Sequence, residues 1–167
     1  LLFCLLFVCG FSFSQTEVWS DNFDDEDISD WTLTDADGDT NVWGDSFTVG
    51  STVGPPVTPV SLISRSWSGV ALTPDNWAVS PAINLSGASG TITVEWIAQV
   101  AAQPWDEEKY SIHVGTSSDI GVLINSTLSI TETLGDAGNT GTPTPKSLDI
   151  SSLDGEAMVY IAFRHWD

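Results

Sequence analysis

Two neighbouring segments with alternating apolar and polar residues constrain the fold of this chain more than any other feature. In residues 91–100 the apolar side chains recur at every second position, Trp96 among them, and Ile97 is the exception. Residues 109–115 repeat the pattern and place Ser111 and His113 on the polar face. A period of two is typical of half-buried β-strands. We therefore expect two strands that bury one face each, with Trp96 in the core.

The rest of the chain predicts further short strands and no helix, because no segment has apolar residues at sustained three-to-four spacing. Gly- and Pro-rich stretches at 44–60 and 135–145 are typical of loops, and Asp154-Gly155 of a turn. This pattern favours one all-β sandwich domain. A brief apolar piece lies between Pro74 and Pro81, whose prolines suit strand ends or edges. The other expected strands lie at 17–23, 31–34, 62–67, 122–129, 147–150 and 157–163.

The first fourteen residues are almost wholly apolar and then give way to Gln15-Thr16-Glu17. This run is too short to span a membrane, and it is typical of the apolar part of a signal peptide. The alternative is a buried core segment. Both cysteines, Cys4 and Cys9, lie in this run, so the mature chain would contain no disulfide. We expect a partial signal peptide at 1–14, a domain at 15–167, and a secreted or cell-surface protein.

Residues 31–43 read W-T-L-T-D-A-D-G-D-T-N-V-W and form the main candidate site. Asp35, Asp37, Asp39 and Asn41 occupy alternate positions, and Gly38 supplies a tight bend. This spacing groups oxygen ligands on one side of the backbone, which calcium requires. It does not match an EF-hand, because Gly38 is misplaced and no Glu stands at the twelfth position. The alternative is an Asp/Gly turn whose side chains bond their own backbone.

Four consecutive acids at 24–27 form a second acidic segment. Such a run cannot lie in a packed strand without counterions, so it predicts a loop. Asp24, Asp25 and Glu26 are candidate cation ligands, with a solvated acidic loop as the alternative.

The formal net charge is −19, from 23 acidic and four basic residues. A field of this sign repels nucleic acid and anionic membranes and favours cation binding. The two histidines, His113 and His165, are isolated, and without cysteine they cannot form a zinc site by themselves. We expect surface or hydrogen-bonding roles for both.

Four motifs in order resemble the cleaved-adhesin or choice-of-anchor J family of secreted Bacteroidetes proteins, which is related in fold to MAM-type jelly rolls. They are the 31–43 motif with S-R-S at 64–66, L-T-P-D-N-W-A-V-S-P-A-I-N-L at 72–85, the segment 108–118, and L-D-I-S-S-L-D-G-E-A-M-V-Y-I-A-F-R-H at 148–165. The resemblance covers nearly the whole mature chain.

The resemblance implies a jelly-roll-type antiparallel β-sandwich with structural calcium. It places Asp24, which follows Phe23, at a position where the family has an acid, and it implies that Trp31, Trp43 and Trp77 support loops. The family pattern continues into another strand that ends in paired acids. We therefore expect a C-terminally truncated domain, with further domains downstream in the full-length protein.

A second candidate site is Trp105 with Asp106 and Glu107, in the loop between the two clearest strands. An indole beside carboxylates can stack on a sugar ring, so these residues are the predicted ligand-binding group. The alternative is a loop tryptophan folded over the end of the sandwich.

Three functions fit these features. The first is a non-catalytic, calcium-stabilised adhesion module that binds an extracellular glycan or protein. The second is a structural spacer in a secreted peptidase or glycoside hydrolase whose catalytic part lies downstream. The third is a hydrolase with Glu95 and Glu107 as acid and base, which we disfavour because the sequence has no nucleophile motif such as G-x-S-x-G and fold alone licenses no activity.

Overall fold

The computed structural model of the protein describes residues 15–44, 60–100, 106–135 and 144–166. The predicted signal peptide, both cysteines and Trp105 lie outside these residues. The described elements are β1 (Thr32–Asp35), β2 (Asp75–Val79), β3 (Thr93–Ala98), β4 (Lys109–Gly115), α1 (Ile120–Leu123), β5 (Ser129–Thr133), β6 (Thr144–Asp149), a 3₁₀ turn (Ser151–Leu153) and β7 (Tyr160–Trp166). In these residues no helix is long and apolar enough to cross a membrane.

The strands of the described residues form two antiparallel sheets, which confirms the predicted β-sandwich. One sheet has five strands in the order β1-β2-β7-β4-β5, and the other pairs β3 with β6. The main core lies between the sheets, where Ile112 and Ile161 of the larger sheet and Val94 of the smaller one belong to a single apolar cluster. The alternation predicted for β3 is confirmed, since Val94 is buried whereas Ile97 is 50% exposed.

Helix α1 covers the outer face of the larger sheet. Its Leu123 is buried against Trp77, Val79 and Ala162 of β2 and β7. The side chain of Asp119 caps the helix by accepting a hydrogen bond from the Gly121 amide at 2.7 Å. Strands β2 and β4 are therefore buried on both faces, a property that alternation in one strand does not reveal.

The prediction that β4 turns a polar face to solvent is wrong. Ser111 and His113 are both buried. The Oγ atom of Ser111 lies 2.8 Å from Nε2 of His113, and the imidazole packs 5.4 Å from the Trp77 ring. Burial lowers the pKa of His113, and the nearby Arg164 lowers it further. A neutral histidine that bonds Ser111 through Nε2 can therefore occupy this interior position.

Three other predicted strands are also corrected. Residues 17–23 and 62–67 form no strand; the second segment contains only the isolated bridge between Trp67 and Ala71. The segment 122–129 is divided between α1 and the start of β5, because the Asp119 cap favours a helical turn. Pro74 and Pro81 lie just outside β2, as predicted for strand ends, although β2 is an internal strand.

Candidate functional site

The aspartate loop follows β1 at one end of the larger sheet. Asp35 ends β1 and pairs with Asn76 near the start of β2. In the adjacent ladders, the start of β2 pairs with the end of β7, and Trp166 of β7 also pairs with Lys109 at the start of β4. The loop therefore shares its end of the sandwich with the segment that precedes β4.

The three aspartates of this loop converge as their spacing predicted. One oxygen atom from each of Asp35, Asp37 and Asp39 lies within 4.8 Å of the others. Asp35 organises the bend, since its carboxylate accepts from the amides of Gly38 at 2.6 Å and Thr40 at 2.8 Å. The hydrogen bond from Thr40, above all, lowers the pKa of Asp35, although burial opposes the shift.

The loop is tied to β2, and one of its carboxylate oxygens is left unsatisfied. Asp37 accepts a hydrogen bond from the Asp75 amide at 3.1 Å, and the Ala36 amide donates to the Asp75 carbonyl at 2.9 Å. Asp39 accepts through Oδ1 from the Asn41 amide at 2.8 Å. Its Oδ2 atom is buried and has no hydrogen-bond donor among the described residues. A buried carboxylate oxygen without a partner is costly, and a bound cation would satisfy it.

The donor set fits a hard cation. Three carboxylates offer the oxygen ligands that calcium prefers, and each oxygen that already accepts an amide retains a second lone pair. The alternative interpretation, an Asp/Gly turn, accounts for the hydrogen bonds that Asp35 accepts from backbone amides. The turn does not account for the buried Oδ2 atom of Asp39.

The other predicted ligands are placed differently. The Asn41 amide group lies against the same loop, with Nδ2 3.4 Å from the Asp39 carbonyl. Asp24 is exposed, accepts from Nδ2 of Asn22 at 2.9 Å, and lies outside the group of three aspartates. The acidic run at 24–27 is a loop, as predicted. It borders a cavity of about 450 Å³ that is lined by Asp21, Asp25, Asp27 and Asp30, among others.

The predicted ligand-binding group is only partly described. Asp106 is half-buried, and its backbone packs closely on Gly135, where an added Cβ atom would lie 2.6 Å from the Asp106 carbonyl oxygen. Glu107 is exposed. Glu95 faces outward from β3, in the smaller sheet, whereas Glu107 precedes β4 of the larger sheet. The cavity of about 520 Å³ beside Glu95 is lined by Trp96, Ile97, Pro145, Lys146 and Ser147, and Glu107 does not line it.

The structure adds a stacked ion pair that the sequence did not predict. Arg164 donates to both oxygens of Asp75, at 2.7 and 2.8 Å. Its guanidinium carbon lies 5.2 Å from the ring centroid of Trp77 and 4.9 Å from that of Trp166. The hydrogen bond from Arg164 is the main reason that the pKa of Asp75 lies below its usual value. Asp75 thus holds both the aspartate loop and Arg164, whose guanidinium group lies over the Trp77 and Trp166 rings.

A second unpredicted network surrounds His165, which the sequence assigned only a general hydrogen-bonding role. Its Nδ1 atom lies 2.8 Å from Oγ of Ser64, and its Nε2 atom lies 2.8 Å from Oε2 of Glu108. Ser66 donates a short hydrogen bond to the other oxygen of Glu108. Burial raises the pKa of Glu108, but the hydrogen bonds from His165 and Ser66 outweigh that effect and lower it overall.

Two of the three motif tryptophans, Trp31 and Trp43, hold loop segments by hydrogen bonds, whereas Trp77 lies in strand β2. Trp31 is buried and donates through Nε1 to Asp21 at 2.8 Å. Trp43 donates to the Asn76 carbonyl at 3.0 Å, and its ring lies 6.2 Å from the His165 ring. Trp77 belongs to the cluster beneath α1. The prediction that Trp96 packs in the core is also confirmed, since it borders two core clusters and donates to the Tyr110 hydroxyl at 3.1 Å.

The Cleaved Adhesin Domain family model matches residues 16–167. The chain belongs to this family. It is 27% identical over 175 residues to Hemagglutinin A of Porphyromonas gingivalis (strain ATCC BAA-308 / W83). The aligned region covers 91% of this chain and 8% of that protein. A second Hemagglutinin A from Porphyromonas gingivalis is 27% identical over 172 residues and covers 92% of this chain and 6% of the relative. The chain thus spans less than a tenth of the length of these curated relatives.

Solved cleaved adhesin domains share the fold. The K3 domain of Lys-gingipain from Porphyromonas gingivalis W83 superposes with a TM-score of 0.66 at 22% identity, over 91% of each chain. The K1 domain of the same protein gives a TM-score of 0.59 at 28% identity, over 83% of this chain and 82% of that one. These matches agree with the antiparallel sandwich described above.

Proposed function

We propose that this domain is a non-catalytic adhesion module of a secreted or cell-surface protein, and that a calcium ion stabilises its aspartate loop. Membership of the cleaved adhesin family supports the adhesive role, as do relatives named Hemagglutinin A. The ligand would be an extracellular glycan or protein. The small share of the relatives that the chain covers supports a place within a larger multidomain protein.

The observation that carries the calcium proposal is the buried Oδ2 atom of Asp39, which has no donor in the region that the structure describes. It belongs to a group in which three carboxylates converge within 4.8 Å. Because calcium takes six to eight oxygen ligands, Asp35, Asp37 and Asp39 would supply the carboxylates. The Asn41 side chain, backbone carbonyls and water would complete the coordination.

The ion would act on the shape of the end of the sandwich. The loop is attached to β2 through Asp75, which also holds Arg164 and thereby contacts the Trp166 ring. A cation that neutralises three close carboxylates removes their mutual repulsion and fixes the loop relative to β2. Any ligand that contacts this end would therefore bind more weakly after calcium is removed.

Agglutination of erythrocytes by beads coated with the protein tests this proposal. We expect agglutination in calcium buffer and its loss in EDTA. The double variant Asp37→Asn/Asp39→Asn should agglutinate poorly even with calcium. The double variant Asp25→Asn/Asp27→Asn is the matched control, because it changes the charge equally at exposed acids outside the group.

Each part of the proposal has its own contrary result. Folded wild-type protein that never agglutinates erythrocytes would contradict the adhesive role and favour a structural spacer. Agglutination that is unaffected by EDTA would leave adhesion intact and contradict the calcium requirement.

A further inference from the structure

A short hairpin at residues 66–72 presents two exposed apolar side chains on a narrow turn. Trp67 and Val70 are each 63% exposed. The turn is closed by hydrogen bonds from the Leu72 amide to the Ser66 carbonyl at 2.8 Å and from the Ser68 amide to the Val70 carbonyl at 3.0 Å. Gly69 has φ +78°, a conformation that glycine adopts without strain. Water contacts both side chains, so burial against a partner would be favourable.

The base of this hairpin is fixed to the body of the domain. Ser64 contacts His165 of β7 at 2.8 Å, and Ser66 donates to Glu108, which precedes β4. His165 joins the two contacts through its 2.8 Å hydrogen bond to Glu108. A tip that is held in place before binding loses little conformational freedom on binding, which favours affinity.

Acidic residues lie beside the base of the hairpin. Glu108 contacts Ser66 directly, Glu107 is its exposed neighbour, and Asp106 comes immediately before. Arg65 contributes one positive charge there, and the whole chain carries −19. A partner that receives the tip should therefore carry basic side chains round its contact surface.

We propose that residues 66–72, the Trp67 hairpin, form an adhesive tip that inserts Trp67 and Val70 into an apolar pocket of a protein partner bordered by Lys or Arg. This inference rests on the proposed adhesive function. A sugar is disfavoured as the occupant, because the two polar side chains that fix the base are already engaged: Ser66 bonds Glu108, and Glu108 also bonds His165. Tryptophan is among the residues that most often dominate protein interfaces.

A phage-displayed library of random dodecapeptides, selected on the immobilised full chain, tests the proposal. Enriched peptides should combine aromatic or aliphatic residues with Lys or Arg, and their binding should weaken with added salt. Trp67→Ala should weaken binding of the corresponding synthetic peptides by about tenfold or more, and Val70→Ser should weaken it less. Val122→Ala is the matched control, because Val122 is 56% exposed on α1 and should leave binding unchanged.

The contrary outcomes are distinct. Absence of enrichment, or peptides that bind Trp67→Ala as tightly as wild type, would overturn the proposal. Binding of a glycan array or of phosphatidylcholine vesicles that Trp67→Ala abolishes would replace the protein partner with a sugar or a membrane. If Trp67→Ala still agglutinates erythrocytes fully, the adhesive function stands and the hairpin proposal fails; if wild type never agglutinates them, the function itself fails.

Discussion

Replacement of Arg164 by methionine should destabilise the domain more than replacement of Lys146 by methionine. Both cations are paired and similarly buried, with 20% exposure for Arg164 and 18% for Lys146, and with 32% and 27% for their partners Asp75 and Glu132. After either substitution the carboxylate still accepts one hydrogen bond from a neutral donor, from Trp77 to Asp75 or from Tyr110 to Glu132. The two variants therefore remove one positive charge each from closely comparable surroundings.

The expected difference follows from the geometry of the two pairs. Lys146 makes a single contact of 2.6 Å, and a partly exposed pair of this kind contributes at most about 1 kcal/mol. Arg164 makes two hydrogen bonds and lies over two indole rings, each of which adds about 0.5–1 kcal/mol. After allowance for the packing of the methionine side chain, we expect losses of about 2 kcal/mol for Arg164→Met and about 1 kcal/mol for Lys146→Met.

The Arg164 effect should also depend on pH. Because Arg164 holds the pKa of Asp75 below the ordinary value of an aspartate, the pair stabilises the folded state fully above that ordinary value. The contribution is lost as pH falls through the lower, folded-state pKa. The difference between wild type and Arg164→Met should therefore be largest at neutral pH and shrink towards about pH 3.

Equilibrium urea unfolding, followed by far-ultraviolet circular dichroism, measures these free energies. Equal losses for the two variants at neutral pH would refute the contribution of the bidentate, stacked geometry. A gap between wild type and Arg164→Met that stays constant down to about pH 3 would refute the role of ionised Asp75.

Three further predictions concern the core and α1. Ile112→Ala should cost about 2–5 kcal/mol in urea unfolding, because Ile112 is 0% exposed, whereas Ile97→Ala at 50% exposure should cost far less. Tyr110→Phe should cost about 1 kcal/mol in urea unfolding, because it removes the hydroxyl that links Trp96 to Glu132. In spectrophotometric titration, wild-type Tyr110 should ionise well above the ordinary tyrosine pKa, chiefly because it is buried. Asp119→Ala should cost about 1 kcal/mol by removing the α1 cap, which a lowered unfolding midpoint would show.

Local sequence patterns predicted the strands with one buried face and failed where a distant element decided the environment. Strand β3 was predicted well because its outward side chains face solvent, as the exposure of Ile97 shows. Strand β4 was located correctly, but α1 and Trp77 cover its second face and bury His113. Leu123 lies in a β-branched, strand-like run, and the Asp119 cap that makes it helical was a signal available in the sequence.

The same distinction applies to the candidate sites: the group formed by neighbouring residues was predictable, and the group formed by distant residues was not. The aspartate loop was predictable because its three carboxylates are neighbours in sequence and a single bend brings them together. The His165 network was not, since Ser64 lies 101 positions and Glu108 57 positions from His165. The strand order places β4 beside β7 and so brings Glu108 to His165, whereas Ser64 reaches His165 from a segment outside the strands. Spacing alone cannot predict such a contact.

Isothermal titration of the calcium-free protein with calcium tests the central claim, the calcium site in the aspartate loop, most directly. We predict saturable binding that disappears in Asp37→Asn/Asp39→Asn and persists in Asp25→Asn/Asp27→Asn. Thermal unfolding of the same samples should show a calcium-dependent rise in midpoint only where binding is seen, because a ligand of the folded state stabilises it by mass action. Absence of saturable binding to wild type, or equal binding by both double variants, would contradict the claim.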